Sequence, residues 1–261
     1  MNSYYVVKSP NSLRTYFSIL KAGDLILTRL PLRKEDFALV LDLVQRGVLS
    51  YPSFLSQILS KSKCAQTEIL QEFMPPNTYV IRNKLGLLEV MPKLSYVDGF
   101  ITKKDQANCG LGVNFWRDLE EVYNHAGTPV LEFPFVLQPF YKYWKDIRVI
   151  MLGDLYQEAY RRENSLNFRQ NLFFGGKAEP YELSPEEVAF CKRVMARGCF
   201  PYAHIDITYI DDQGPYLVEI NLRGGIKGAK IKTTEYDQIL KRLEELYLDA
   251  WKKDHQPFDV V

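Results

Sequence analysis

Two carboxylates and one amide stand on two neighbouring apolar segments near the end of the chain. Asp206 lies in the first segment, Glu219 and Asn221 lie in the second, and the turn-prone residues 211–214 separate them. This arrangement predicts a β-hairpin, on which Glu219 and Asn221 share one face and Asp206 joins them if the register allows. Three oxygen ligands without neighbouring Cys or clustered His suit a hard cation such as magnesium. A solvent-facing hairpin with ordinary acidic residues is the alternative.

A second feature is a lysine followed by a glycine-bearing loop between two predicted strands. Lys103 ends the first strand, Gly110 and Gly112 lie in the loop, and Val113 opens the next strand. Glycines let backbone amides approach phosphate oxygens, and a lysine adds a point charge. The order differs from a Walker loop, because the lysine precedes the glycines and no helix follows them. A plain hairpin turn is the alternative interpretation.

A third feature combines arginines at strand positions with an Asn-rich loop that ends in two glycines. Asp146 and Arg148 lie on one predicted strand, Arg161 and Arg162 lie on the next, and the loop covers residues 167–176. The planar fork of arginine suits phosphate and carboxylate groups, so these residues predict a clamp for such groups. Alternation puts Arg161 and Arg162 on opposite faces, so at most one of them joins the site. Surface salt bridging is the alternative.

The elements that must position these residues mix helices with hairpins. Strand patterns cover residues 24–28, 99–103, 113–115, 135–138 and 146–151, and helical spacing covers residues 35–45, 53–59, 64–73, 118–125 and 236–251. A further helix begins at Ser184, whose capping box is completed by Glu187. Mainly antiparallel hairpins predict an α+β fold rather than the βαβ rhythm of a dinucleotide-binding fold.

The helix-breaking prolines at 75 and 76 mark the best candidate for a domain boundary. We therefore expect a short α/β N-terminal domain over residues 1–76. A second segment over residues 77–138 carries the glycine-bearing loop, and a third over residues 139–261 carries the proposed metal site.

Composition narrows the class of protein. The net charge is +1, so bulk electrostatics predict neither a nucleic-acid partner nor a membrane partner. The N-terminus lacks a signal-peptide pattern and no apolar run approaches a membrane span. The 4 cysteines are scattered without metal-ligand spacing, which favours a reduced, cytoplasmic setting.

Taken in order, these motifs resemble the RimK-like branch of the ATP-grasp ligases. The resemblance is strong over about residues 100–233, and several motifs in the right order are more specific than any one of them. It is carried by Lys103, Gly110-Leu111-Gly112-Val113, Gln138-Pro139-Phe140, Asp146-Ile147-Arg148, Arg162, Asn167-Phe168-Arg169-Gln170-Asn171, Gly175-Gly176, Asp206, Glu219-Ile220-Asn221 and the tail from Asn221 to Gly228.

The resemblance implies an ATP-grasp fold, in which two α+β subdomains grip ATP, and a role for each matching residue. Lys103 contacts the ATP phosphates, with Lys63 as a second lysine and Gly110 and Gly112 in the phosphate loop. The hinge Gln138, Pro139 and Phe140 recognises adenine through its backbone, and Asp146 meets the ribose. Arg169, Asn171 and Arg162 lie near the reacting phosphoryl group. Asp206, Glu219 and Asn221 hold Mg²⁺, with Mn²⁺ as an alternative metal.

The implied function is an ATP-dependent carboxylate–amine ligase that forms an amide or peptide bond through an acyl-phosphate. Its partners are a small-molecule or peptide substrate with a carboxylate and an amine acceptor, and assembly as a homo-oligomer stays open. One alternative is an ATP-binding regulatory or scaffolding protein without ligase activity. Another is a carboxylate–thiol ligase or phosphotransferase on the same fold.

Two positions depart from the family pattern. Pro139 replaces the acidic residue usual at the hinge, and His204 stands two residues before Asp206 on the same face. His204 could carry a proton for the incoming amine, because the ordinary pKa of histidine lies near neutrality. The alternative is that it packs beside the site or hydrogen-bonds a neighbour.

Overall fold

Three β-sheets organise the chain, each with its own strand order. A computed structural model describes residues 3–94, 98–107, 112–141, 144–163 and 176–261. Within these ranges the strands are β1 (Tyr4–Val7), β2 (Leu25–Ile26), β3 (Leu49–Ser50), β4 (Tyr79–Ile81), β5 (Phe100–Lys104), β6 (Val113–Trp116), β7 (Phe135–Pro139), β8 (Trp144–Leu152), β9 (Tyr156–Glu163), β10 (Lys177–Tyr181), β11 (Tyr202–Ile210), β12 (Gln213–Asn221) and β13 (Phe258–Val260).

The helices flank these sheets. They are α1 (Pro10–Tyr16), α2 (Phe37–Gln45), α3 (Phe54–Leu59), α4 (Lys63–Ile69), α5 (Lys84–Val90), α6 (Leu119–His125), α7 (Pro185–Arg197) and α8 (Thr233–Trp251), with short 3-10 helices at Phe17–Ile19, Lys34–Asp36, Gln71–Phe73 and Met91–Lys93. Across the described part of the chain, none of them combines the length and apolar character needed to cross a bilayer.

The N-terminal sheet is parallel and takes its last strand from the other end of the chain. Its order is β13-β1-β2-β3, and β13 pairs with β1 in parallel. The apolar residues of β1 and β2 pack with those of α2 around a core that includes Val7, Ile26 and Leu43. The pattern of residues 1–76 predicts an α/β domain built from those residues alone, but this sheet is completed by residues 258–260.

The second sheet is antiparallel, in the order β4-β7-β5-β6. Its own core includes Leu87 of α5, Val122 of α6 and Phe135 of β7, all fully buried. The boundary expected between residues 138 and 139 falls inside β7, and the three-domain division stays a prediction.

The third sheet carries most of the candidate site residues. It is antiparallel, in the order β10-β9-β8-β11-β12, and packs against α7 and α8 in the largest core of the chain. β11 and β12 are joined by Asp211 and Asp212, whose φ angles of 49° and 62° suit a two-residue hairpin turn. The predicted hairpin is therefore confirmed, and the sheets with their helices confirm an α+β fold.

Candidate functional site

A cleft of about 860 Å³ lies between the second and third sheets. β5, β7 and the hinge after it line one side, β8, β9, β11 and β12 line the other, and α3 and α4 close one end. Many of the predicted site residues line this one cleft, namely Lys63, Lys103, Gln138, Pro139, Phe140, Asp146, Arg162, Asp206, Glu219 and Asn221.

The hairpin register brings the three predicted oxygen ligands onto one face. Asp206 of β11 lies directly opposite Glu219 of β12, and His204 lies opposite Asn221. Paired residues of an antiparallel ladder project to the same side, so the condition set by the sequence pattern is met. Asp206 is buried, whereas Glu219 and Asn221 are half-buried and line the cleft.

Asp206 is the centre of a buried ion-pair network that the sequence did not reveal. Arg148 of β8 lies opposite Asp206, and its guanidinium donates to both carboxylate oxygens, with Nη2 2.9 Å from Oδ2. Arg162 of β9 lies 3.1 Å from the same oxygen and 2.7 Å from Asp146. Burial alone would raise the pKa of Asp206, but the two guanidinium groups hold that pKa well below its ordinary value. The anionic form of Asp206 is therefore stabilised by its two arginine partners.

The sequence pattern assigns Arg148 only to a general clamp for phosphate or carboxylate groups. It lies two residues after Asp146 on β8, and strand alternation therefore puts both side chains on the cleft face. That spacing is the feature of the sequence that could have placed Arg148 on the same face as Asp146. Its partner could not be inferred, since the pairing of β8 with β11 joins residues far apart in the sequence.

Two lysines approach the same face from the other elements. Lys63, the first residue of α4, lies 3.2 Å from Glu219 and donates to the carbonyl oxygen of Ala107 at 2.5 Å. Lys103 of β5 donates to the carbonyl oxygen of Val218 at 3.5 Å. Burial lowers the pKa of Lys103 to about 8, although the nearby Glu219 carboxylate opposes that shift.

The hinge and the glycine loop are only partly described. The backbone N–H of Phe140 donates to the carbonyl oxygen of Gly99 at 2.8 Å, and Pro139 has no N–H, so neither is a free donor toward the cleft. Gly112 packs against its own loop, because a Cβ there would lie 2.3 Å from the Cβ of Ala107. Three predicted residues lie outside the described part of the chain, namely Gly110, Arg169 and Asn171.

His204 is buried beneath the site. Its Nε2 lies 2.9 Å from the hydroxyl of Tyr236, and its Nδ1 has no hydrogen-bond partner among the described residues. Burial and the nearby Arg148 lower the pKa of His204 to about 3, so the ring is neutral at physiological pH. This geometry favours the packing interpretation over proton transfer.

The donor set fits a hard cation in type. Asp206, Glu219 and Asn221 offer two carboxylates and an amide oxygen on one face, which are the ligands that magnesium takes in proteins. Among the described residues, no group of three or more His, Cys, Asp or Glu side chains could hold a metal ion, and the third donor of this set is an amide. The candidate site is thus oxygen-only and bordered by cations.

Comparison with known proteins gives a family match and several relatives. Residues 58–243 match the RimK-like ATP-grasp domain. A probable alpha-L-glutamate ligase of Picosynechococcus sp. is 34% identical over 106 residues, which cover 40% of this chain and 35% of that protein. A probable alpha-L-glutamate ligase of Trichodesmium erythraeum is 25% identical over 229 residues, which cover 82% of this chain and 74% of that protein. The chain thus spans only about a third of the first relative.

A solved structure extends the likeness to the fold. The ATP-grasp ligase PsnB, complexed with a phosphomimetic variant of its minimal precursor, Mg and ADP, superposes with a TM-score of 0.57. The match covers 93% of this chain and 99% of that chain at 16% identity. The fold is therefore ATP-grasp, as the sequence motifs implied.

Proposed function

The chain belongs to the RimK-like ATP-grasp family, and from that premise we propose that it is an ATP-dependent carboxylate–amine ligase. The observation that carries the proposal is one cleft in which oxygen donors and lysines converge. Asp206, Glu219 and Asn221 share a face of β11 and β12, and Lys63 and Lys103 reach the same strands from α4 and β5.

In the first proposed step, a substrate carboxylate oxygen attacks the γ-phosphorus of ATP. The bond between that phosphorus and the bridging oxygen breaks, and ADP leaves with the electron pair. Negative charge on the phosphoryl oxygens is the main barrier, so the ammonium groups of Lys63 and of protonated Lys103 supply the stabilisation. Magnesium held by Asp206, Glu219 and Asn221 would neutralise further phosphate charge. Arg148 and Arg162 keep Asp206 ionised for that task.

In the second proposed step, an amine attacks the acyl carbon of the acyl-phosphate. Inorganic phosphate leaves with one former carboxylate oxygen, and the proton that the amine loses as the amide forms ends on that phosphate. The acyl-phosphate would also react with water, so exclusion of water from the cleft is part of the proposal. Arg169 and Asn171 keep their proposed places beside the phosphoryl group.

A preference for adenine is supported by one buried acceptor in the cleft. The side-chain oxygen of Gln138 is buried and has no hydrogen-bond partner within the described ranges. A buried acceptor without a donor is costly, and the amino group of adenine would satisfy it.

The proposed substrates are an amino acid or a peptide that carries the reacting carboxylate. The names of the two glutamate-ligase relatives support that class. The lining of the cleft supports an anionic substrate too, because it includes Arg29, Lys61 and Lys227. Three further features stay predictions, namely a cytoplasmic location, Mn²⁺ as an alternative metal and a homo-oligomer.

The test is ADP release from ATP and magnesium against pooled amino acids and short peptides, with Glu219→Ala as the control. Release that needs one pool and Glu219, together with a new amide detected by mass spectrometry, supports the ligase. A thioester product would instead indicate a carboxylate–thiol ligase, and a stable phosphorylated product would indicate a phosphotransferase. Magnesium-dependent ATP binding without release from any pool would favour a regulatory ATP-binding protein.

A further inference from the structure

Gln66 on α4 bonds to both backbone groups of one residue on β12. Its side-chain oxygen accepts the N–H of Ile220 at 3.0 Å, and its side-chain nitrogen donates to the carbonyl oxygen of Ile220 at 2.9 Å. The same nitrogen donates to the carbonyl oxygen of Leu59 at 2.7 Å. Gln66 is only 2% exposed, so these bonds are made in a desolvated setting.

The contact lies at a free strand edge. β12 is the last strand of its sheet, and among the described strands it pairs with β11 alone. The carboxamide of Gln66 therefore takes the place of a neighbouring strand at Ile220. Without it, a buried N–H and a buried carbonyl would lose their partners, which is expensive.

Ile220 separates the two half-buried residues of the proposed metal site. Glu219 precedes it and Asn221 follows it, so the bonds to Gln66 fix the backbone from which both side chains project. Lys63 stands one helical turn before Gln66 and lies 3.2 Å from Glu219. α4 thus makes two contacts with β12. Gln66 bonds to the strand backbone, and Lys63 pairs with Glu219, a proposed metal ligand.

The start of α4 is anchored separately to the second sheet. The Asp105 carboxylate accepts hydrogen bonds from the hydroxyl of Ser62 at 2.9 Å and from the N–H of Cys64 at 3.2 Å. Asp105 directly follows β5, the strand that carries Lys103. α4 therefore ties the lysine-bearing strand of one sheet to the ligand-bearing strand of the other.

We infer that Gln66 is a positioning residue for binding of a divalent metal–nucleotide complex. It holds Glu219 and Asn221 at a fixed distance from Lys63, so that metal ligands and phosphate-binding lysine are preorganised together. This inference rests on the proposed metal and nucleotide site, but it does not need the ligation step.

The test compares Gln66→Met with a matched change at the other buried glutamine of this region. Gln57 of α3 is 3% exposed and is also held by backbone hydrogen bonds. Its side-chain oxygen accepts the N–H of Leu30 at 2.7 Å, and its side-chain nitrogen donates to the carbonyl oxygen of Pro52 at 2.9 Å. Gln57 also lines the candidate cleft, but its hydrogen-bond partners belong to the N-terminal segment and not to β12. Methionine keeps the length of either side chain and removes its hydrogen bonds, so both variants should lose comparable thermal stability.

The readout is Mn²⁺ affinity, measured from the spin-resonance signal of free Mn²⁺ with a saturating non-hydrolysable ATP analogue. Gln66→Met should weaken Mn²⁺ binding about ten-fold or more, the usual effect of losing a residue that orients metal ligands. Gln57→Met should change it less than about two-fold. Equal effects of the two variants would overturn the inference and leave Gln66 a purely structural residue.

A conservative variant keeps the test decisive if Gln66→Met does not fold. Gln66→Glu retains the acceptor for the Ile220 N–H, and its buried carboxyl, protonated beside two carbonyl oxygens, keeps one O–H donor in place of the amide nitrogen, so an intermediate loss of Mn²⁺ affinity is expected. Unchanged Mn²⁺ affinity in Gln66→Glu overturns the inference. Failure of the wild-type protein to bind Mn²⁺ overturns it as well. Wild-type protein that binds Mn²⁺ and the analogue but forms no amide contradicts the proposed ligase alone.

Discussion

Arg148 and Asp206 face each other on neighbouring strands, and one guanidinium meets both oxygens of one carboxylate. Arg162 adds a second cation 3.1 Å from Asp206. The side chains of Asp206 and Arg162 are 9% and 7% exposed, so this network is part of the core as well as of the site. Glu219, by contrast, is 29% exposed and pairs only with Lys63 among the described residues.

Asp206→Asn is therefore expected to lower the free energy of unfolding by about 3 kcal/mol, because it removes the anion paired with the buried Arg148 guanidinium and one of the two anions beside Arg162. Glu219→Gln should lower it by less than about 1 kcal/mol, because Glu219 is partly solvated. Urea unfolding followed by circular dichroism measures both. Equal losses would show that Asp206 is no more part of the core than Glu219.

Glu219→Ala should abolish ATP turnover while the protein stays folded. The residue projects into the cleft rather than into the core, and its proposed task is to hold metal. We expect ADP release to fall at least about a hundred-fold, as for loss of a metal-site residue. A coupled ADP assay gives the rate, and the circular dichroism spectrum of the variant is the control. Turnover at the wild-type rate would remove Glu219 from the metal site.

The local features of the site could be predicted from sequence, because alternation and turn chemistry act over a few residues. The hairpin, the common face of Glu219 and Asn221, and the split between Arg161 and Arg162 are of this kind. Arg162 is buried, and Arg161 is 41% exposed and pairs outward with Glu163, as alternation along the strand requires.

The remainder depends on contacts between distant parts of the chain, for which no local pattern exists. Arg148 meets Asp206 across 58 positions, and Gln66 meets Ile220 across 154. β13 joins β1 after more than two hundred intervening residues, because burial of the aromatic cluster around Trp251 brings the ends of the chain together. Such pairings are set by packing of whole elements, not by propensity.

Lys103 should give the ATP reaction a pH dependence. Since the pKa of Lys103 is about 8, the free protein loses this cation as pH rises through that value. We expect kcat/KM for ATP, which reports groups of the free enzyme, to fall above about pH 8. Lys103→Arg should remove this fall, because a guanidinium stays protonated. A persistent fall near the same pH in that variant would assign it to another group.

The same shift has a consequence for stability. Below its ordinary pKa of 10.5 but above about 8, Lys103 is neutral in the folded protein and charged in the unfolded chain. The unfolded state therefore binds more protons in that window, and the contribution of Lys103 to stability rises with pH across it. Lys103→Met should abolish that contribution in urea titrations between pH 8 and pH 10.5.

His204 should prove dispensable as a proton carrier. With a pKa lowered to about 3, its ring does not gain a proton between pH 6 and pH 8. We expect His204→Gln to keep the shape of the pH–rate profile, with a loss of kcat well below the hundred-fold or so that removal of a general acid or base causes. Thermal unfolding should show a modest loss from the altered contact with Tyr236. Disappearance of one limb of the pH profile would contradict this view.

Gly224 and Gly225 offer a matched pair at the cleft. A Cβ on Gly224 would lie 2.8 Å from Nη1 of Arg148 and 2.9 Å from Nδ1 of His204, whereas a Cβ on Gly225 would meet nothing within 4 Å. Gly224→Ala must therefore displace Arg148, and with it the support of Asp206. We expect a loss of about 1–3 kcal/mol in unfolding free energy and a clear drop in ATP turnover.

Gly225→Ala should leave both quantities nearly unchanged, within about 0.5 kcal/mol for stability, because its site is open and its backbone is not left-handed. Urea unfolding and ADP release measured on the two variants side by side decide the matter. Arg148→Lys combined with Gly224→Ala adds a coupling test, since removal of the Nη1 atom should relieve part of the clash. If the double variant is as impaired as the two single losses added together, the two positions act independently and Gly224 does not work through Arg148.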